Sequence, residues 1–316
     1  PYQPYGPWTN HTPLAFLIPG YIQSLFGPGL RTGRYFAIFA AVLMLLGLWL
    51  LARRMGNRWW AAGVVWTLAI NPALLKTYAT AVTQGLVACM LVWTLVLVLG
   101  GKRPLWQIIL GSILASVMVM TRINMLPVLP LLVMYVFWQH GRKAGVASLL
   151  AAGLVFVGIH AFYWPNILQV WTRLPKALTP FLSEWRGAGG KSSWQPDYSF
   201  TSRVLSLFGT FRMQFTAMLG VLAPVLLWPD KNRWKDRADL RSAVFLFTLF
   251  LALFVTHIWA ALGKDYCVFC LPGYVAFFSE TGLLLLILTF PVWRQRSPAW
   301  RDRKSVVLGK ECRSRW

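Results

Sequence analysis

Acidic residues are scarce in this chain, with nine Asp and Glu among 316 residues and none before Glu184. The whole stretch upstream of Glu184 therefore cannot hold a pair of carboxylates for acid–base chemistry. Charged residues of either sign make up only 13% of the chain, about half of the roughly 25% usual for a soluble domain. With 57% of residues hydrophobic, the apolar surface is too large for the inside of one water-soluble domain, whereas a bilayer can take it up. Four cysteines do not make a disulfide framework. There is no internal repeat, no low-complexity tract, no strand followed by a Gly-rich phosphate loop and no recognisable Ser-His-Asp set. An initiator Met and a charged leader ahead of the first apolar run are also missing, so the segment before Pro1 is expected to have been cut away.

What the chain does have is a series of apolar segments. A hydrocarbon core about 30 Å thick takes about 20 apolar residues per helix. That length predicts nine spans: Tyr35–Ala52, Trp59–Leu75, Ala81–Leu99, Leu105–Thr121, Met125–Trp138, Ala144–Tyr163, Met213–Trp228, Ser242–Leu262 and Pro272–Trp293. Leu14–Phe26 is too short to span and reads as an interfacial helix. The expected fold class is all-α, a polytopic transmembrane bundle with an outer interfacial helix and one long outer loop. The units are an outer remnant over residues 1–34, six spans over 35–163, the loop over 164–212, three spans over 213–293 and a cytoplasmic end over 294–301.

Positive charge sets the orientation. Arg53, Arg54 and Arg58, then Lys102 and Arg103, then Arg142 and Lys143 follow alternate spans. Five more lie from Lys231 to Arg241, and Arg294, Arg296 and Arg301 follow the last span. These 15 contrast with Lys76, Arg122 and Lys264, the three in the other short connectors. Lys and Arg accumulate on the cytoplasmic side, so the N-terminal stretch and the long loop are expected outside. A plasma membrane of bacterial or archaeal type is the expected location, with the site on its outer side. The net charge of +22 is dispersed among connectors, which argues for a membrane and against nucleic acid as partner.

Basic groups gather at the outer span ends. His11, Arg34, Arg122 and Arg212 are the first candidates for holding a phosphate, with Lys76, His160 and His257 as secondary ones. Arg122, in Thr121-Arg-Ile-Asn124, is the sharpest, because a tight link between two apolar spans leaves a charge few solvated positions. For each residue the competing reading is an interfacial anchor whose charge snorkels to water. Glu280 falls within the last span, where it either is neutral and bonded to a neighbour or lines a cavity. Cys267-Val-Phe-Cys270 is a lone pair that would suit redox chemistry or half a zinc site. No metal site is assigned and no cofactor is expected, with a divalent metal left open.

The stretch from Asn10 to Arg34 resembles the first outer loop of the GT-C glycosyltransferases, in the protein O-mannosyltransferase and aminoarabinose transferase branch. The resemblance is carried by His11, Thr12-Pro13-Leu14, Phe26-Gly27 and Arg34, with Pro72 as a helix-breaking residue and Thr121-Arg122 after a later span. Asp265-Tyr266 ahead of Leu271-Pro272 is similar to a late Arg-Tyr and Leu-Pro element, with Asp in place of Arg. The resemblance implies a polyprenyl-phosphate sugar as donor, membrane lipid as surroundings and an acceptor that is a lipid, glycan or protein. It also implies a catalytic acid upstream of the Pro-Leu element, and no Asp or Glu of this sequence stands there. Two other readings stay open: a transporter or flippase of an amphipathic anion, and a non-catalytic membrane scaffold. Asp302–Trp316 resembles the translation of a short-read sequencing adapter and is kept out of the functional argument. Without it the charge is +19, from 26 basic and 7 acidic residues.

Overall fold

A computed structural model describes residues 12–80, 83–172, 180–182, 199–227, 234, 236–263 and 267–294. Among these residues there are fourteen α-helices and no strand. In chain order they are α1 (Leu14–Phe26), α2 (Leu30–Met55), α3 (Arg58–Ala69), α4 (Pro72–Ala79), α5 (Gln84–Val98), α6 (Leu105–Thr121) and α7 (Val128–His140). There follow α8 (Arg142–Phe162), α9 (Leu168–Trp171), α10 (Phe200–Met213), α11 (Phe215–Leu227), α12 (Arg237–Ile258), α13 (Leu271–Val275) and α14 (Ser279–Arg294). The chain is an all-α membrane bundle.

Local chemistry sets where helices start and turn. The Asn57 side chain accepts from the backbone N–H groups of Trp59 and Trp60, which caps α3. Asp236 caps α12 in the same way through Ala238. These side chains satisfy N–H groups that lack an intrahelical partner. Gly141, at φ +87°, joins α7 to α8 without an intervening loop, a conformation that a Cβ would disfavour.

The helices meet at two distinct ends. At one, Arg54 donates to Val96 O at 2.8 Å, Arg103 to Leu99 O at 2.7 Å and Arg241 to Trp138 O at 2.9 Å. Cations here serve the terminal carbonyls of α5 and α7, where the helix dipole favours positive charge. Tyr135 links the same end, with its hydroxyl 3.0 Å from Gly100 N and 3.1 Å from Ser242 Oγ. At the other end the start of α2, the start of α5 and the end of α6 come together with α1 and with Trp259, which follows α12.

Span by span, the structure differs from the nine expected segments. Four stretches are long and apolar enough to cross a membrane: Leu30–Met55, Ile123–His140, Arg142–Phe162 and Arg237–Gly263. The number rises to six if each of two bent helix pairs counts as one span. Helices α5 and α6, with 15 and 17 residues, are shorter than that. The segment Trp59–Leu75 is split between α3 and α4 at Ile70-Asn71. Pro72 has no N–H to give and disfavours helical backbone in the residue before it.

The stretch 164–212, expected as loop, holds all but the last residue of the fourteen-residue helix α10, capped by Ser199 on Ser202 N. Helix α10 meets α11 at 84°. The last segment bends by 46° between Val268–Val275 and Ser279–Pro291. Glu280 therefore lies in the first turn of α14, at a break and not in the middle of a continuous span. Residues 302–316 lie outside the described residues.

Candidate functional site

Helix α1 has no buried residue, and Phe16, Leu17, Tyr21, Leu25 and Phe26 are all exposed. The start of α1 is fastened to the bundle, because the Thr12 hydroxyl donates to Thr121 O at 2.6 Å in a buried contact. Under α1 is a cavity of about 960 Å3, at the upper end of the roughly 300–1,000 Å3 of small-molecule sites.

Arg122 enters this cavity for a backbone reason. Helix α6 stops at Thr121, and Arg122 is extended, with φ −151° and ψ 111°. Its N–H still reaches Met118 O at 2.9 Å, and its carbonyl accepts from Met125 N at 3.0 Å. A 3-10 turn over Ile123–Met125 and Pro127 then start α7. One extended residue between two helical turns directs its side chain sideways. The guanidinium carbon lies 4.2 Å from the Phe277 ring centre and 5.0 Å from that of Tyr274. Aromatic faces attract a cation through the ring quadrupole, so this pair fixes where the charge stands.

Arg122 is the one charged side chain among the described residues of the cavity wall. Gln23, Thr83, Gln84 and Asn124 add neutral polar groups, while Phe16, Phe36, Trp259 and Tyr274 add aromatic rings. A single guanidinium in a partly dry, mostly neutral wall suits one anionic group. Its fork can hold two oxygens at once, and the low dielectric strengthens that contact.

The other candidates are placed apart. Arg34, Lys76 and Arg212 are exposed and are not among the residues lining the cavity. His160 has both ring nitrogens engaged: Nδ1 lies 2.8 Å from Phe156 O, and Nε2 accepts from Trp171 Nε1 at 2.8 Å. His257 is fully buried, with Nδ1 2.7 Å from Leu253 O. Its ring stands 6.0 and 5.8 Å from those of Tyr274 and Phe277, the two rings that also face Arg122. His11, Lys264, Asp265 and Tyr266 lie outside the described residues. Thr12, next to His11, is bonded to Thr121, next to Arg122.

Glu280 is fully buried, with neither carboxyl oxygen hydrogen-bonded among the described residues, and does not line the cavity. Cys267 and Cys270 form a disulfide. Among the described residues no cluster of three or more His, Cys, Asp or Glu could hold a metal ion. Gln84, Asn124, Trp259 and Tyr274 were not singled out from the sequence. Neutral polar groups at span ends are ordinary, and the signal that marks these is which ends adjoin.

The clasp at Thr12 has a measurable consequence. Thr12→Val removes a buried hydrogen bond at a cost of about 1–3 kcal/mol, felt locally at α1. Amide hydrogen exchange across Leu14–Phe26 should then quicken while α6 keeps its protection. Unchanged exchange in α1 would mean that other contacts hold it.

The model of the dolichyl-phosphate-mannose-protein mannosyltransferase family matches residues 10–167, which run from the start of α1 past the end of α8 and include Arg122. The match covers half of the chain, and the chain belongs to this family of membrane glycosyltransferases. Neither the curated proteins nor the solved structures include a match.

Proposed function

We propose that the protein transfers a sugar from a polyprenyl-phosphate donor to an acceptor at the outer face of a plasma membrane, with Arg122 holding the donor phosphate. The observation that carries this reading is Arg122 in the wall of a cavity roofed by α1. A lipid-linked donor has a tail that needs bilayer and a phosphate that needs a cation at headgroup depth. The family name supplies the donor class. In the reaction the acceptor hydroxyl oxygen bonds to the anomeric carbon. The bond from that carbon to the phosphate oxygen breaks, and the lipid phosphate leaves with an added negative charge. A guanidinium already in place stabilises the developing charge without reorganising. The described wall has no carboxylate, so the balance is closed by the proton of the acceptor hydroxyl passing to water or to the departing phosphate monoester.

The outer orientation draws on two supports. One is the 15-to-three asymmetry of basic residues between alternate connectors. The other is the Cys267–Cys270 disulfide, whose Cys270 lines the cavity, since disulfides persist in oxidising compartments. Transport would have used Glu280 for coupling, and that carboxyl is away from the cavity.

Two measurements test the proposal. Radiolabelled polyprenyl-phosphate-mannose, given to proteoliposomes of the full-length protein, which carries the segment upstream of Pro1, with a membrane extract as acceptor source, should be consumed with release of polyprenyl phosphate. Absence of any donor consumption would sink the enzyme reading. For orientation, Ser193→Cys on a background without native cysteines should react with an impermeant thiol reagent in intact cells. Labelling only after the membranes are opened would reverse the sidedness.

A further inference from the structure

We propose that Tyr78 is a positioning residue for Arg122, acting through the turn that carries Tyr274 and Phe277. This rests on the reading of Arg122 as the holder of the donor phosphate. Tyr78 lies near the end of α4, is buried, and is not among the residues lining the cavity. Its hydroxyl donates to Ala276 O at 2.7 Å, in a buried contact across 198 positions of sequence. Ala276 stands between α13 and α14, where the last apolar segment bends by 46°.

The turn at that bend carries what Arg122 faces. Phe277 N donates to Tyr274 O at 3.2 Å, and Phe278 N to Val275 O at 3.1 Å. Bonds between residues three apart wind the chain more tightly than an α-helix, and side chains three apart then stand nearly in line. The rings of Tyr274 and Phe277 accordingly lie together, with centres 6.3 Å apart. The Arg122 guanidinium carbon stands 5.0 Å from one centre and 4.2 Å from the other. Moving this turn therefore moves the two faces that hold the charge.

Tyr78 is the side chain from another helix that holds the turn by its backbone. A side chain inserted into helical backbone bonding is one of the few causes of a sharp bend. Without the hydroxyl, the Ala276 carbonyl would lose a buried partner, which is costly. The turn would then gain by straightening until a backbone N–H reached that carbonyl, and both rings would shift with it. A displacement of about 1 Å at a reacting group can cost on the order of a hundredfold. Tyr78 is itself seated firmly: a Cβ on Gly85 would come within 3.7 Å of Tyr78 O and 4.0 Å of its Cδ1, so the start of α5 packs directly against it.

The test is a double-mutant cycle on the binding of radiolabelled polyprenyl phosphate, the product that bears the full leaving charge, to the full-length protein in detergent. Tyr78→Phe removes the hydroxyl and keeps the ring. It should weaken binding by about three- to a hundredfold, the range of coupling between residues that act together. On an Arg122→Ala background the same change should have no further effect, because no guanidinium is left to place. A packing role independent of Arg122 would weaken binding equally on both backgrounds. That result overturns the inference, as does unaltered binding by Tyr78→Phe alone. If Tyr78→Phe gives no monodisperse protein, Phe277→Leu replaces it in the cycle and removes the ring at the far end of the same contacts. Equal losses on both backgrounds again overturn the inference. If wild type does not bind polyprenyl phosphate, or Arg122→Ala binds it as wild type does, the phosphate reading falls first and this inference with it.

Discussion

Arg122→Ala is expected to lower sugar transfer by about two to three orders of magnitude, the usual loss when one preorganised donor to a developing oxyanion is removed. The charge appears on the leaving phosphate, so the loss should fall mainly on kcat. The amount of folded protein should change little, because Arg122 is only half-buried and its removal leaves Phe277 and Tyr274 packed in the bundle. Arg122→Lys should recover part of the rate, since it keeps the charge and loses the two-pronged geometry. Its shorter reach over the Phe277 ring, now 4.2 Å from the guanidinium, would also loosen its position. Initial rates in proteoliposomes, normalised to monodisperse protein, make the comparison. Normal transfer by Arg122→Ala would return the residue to the role of an interfacial anchor.

Gly220→Ala should be the most damaging small substitution for stability. Helices α11 and α14 approach so closely that a Cβ on Gly220 would stand 1.8 Å from Gly282 O and 2.7 Å from Gly282 C. From the other side, a Cβ on Gly282 would stand 2.3 Å from Ala217 O. These neighbours are backbone atoms, which cannot rotate away as a side-chain tip can. Small residues let membrane helices pack backbone to backbone, and that close packing is a main source of their association. Overpacking costs about 1–3 kcal/mol where neighbours can yield, and more where they cannot. A fall in the thermal midpoint in detergent and a loss of monodisperse protein are expected for Gly220→Ala. Gly153→Ala is the control, since nothing stands within 4 Å of a Cβ there. Equal behaviour of the two variants would show that α11 and α14 do not touch through their backbones.

Individual residues in the sequence already point to parts of this architecture. Pro72 marked a break, and the chain divides there into α3 and α4. Leu14–Phe26 stood out as an apolar stretch too short to cross, and α1 has those same bounds. Arg122 was conspicuous as a charge with little room between two apolar segments, and its wall position in the cavity follows from the same tight link. The helix α10 was hidden because its residues, Phe200–Met213, mix apolar and polar groups without a continuous run. The nine-span count treats every apolar segment alike, whereas the helices differ in length, from 15 and 17 residues in α5 and α6 to 26 in α2.

Composition by itself determined that this is a helical membrane protein, because too few charged groups are present to cover a soluble core. The alternation of basic connectors likewise sets an expected direction for each segment without any coordinates, since the preference acts on local charge. Which span ends adjoin was beyond it. Arg34, Arg122 and Arg212 are each a cation beside an apolar run, and the tight link marks Arg122 among them without saying what it faces. The packing of α1 against the ends of α2, α5 and α6 puts Arg122 in a cavity wall and leaves the other two outside it. The tertiary structure likewise brings Tyr78 to Ala276, 198 positions further along the chain. Contacts of that kind depend on neighbours far away in sequence, such as Ala37 against Gly85. Periodicity and charge report what one helix presents, whereas a cavity exists only where several helices fail to fill the space between them.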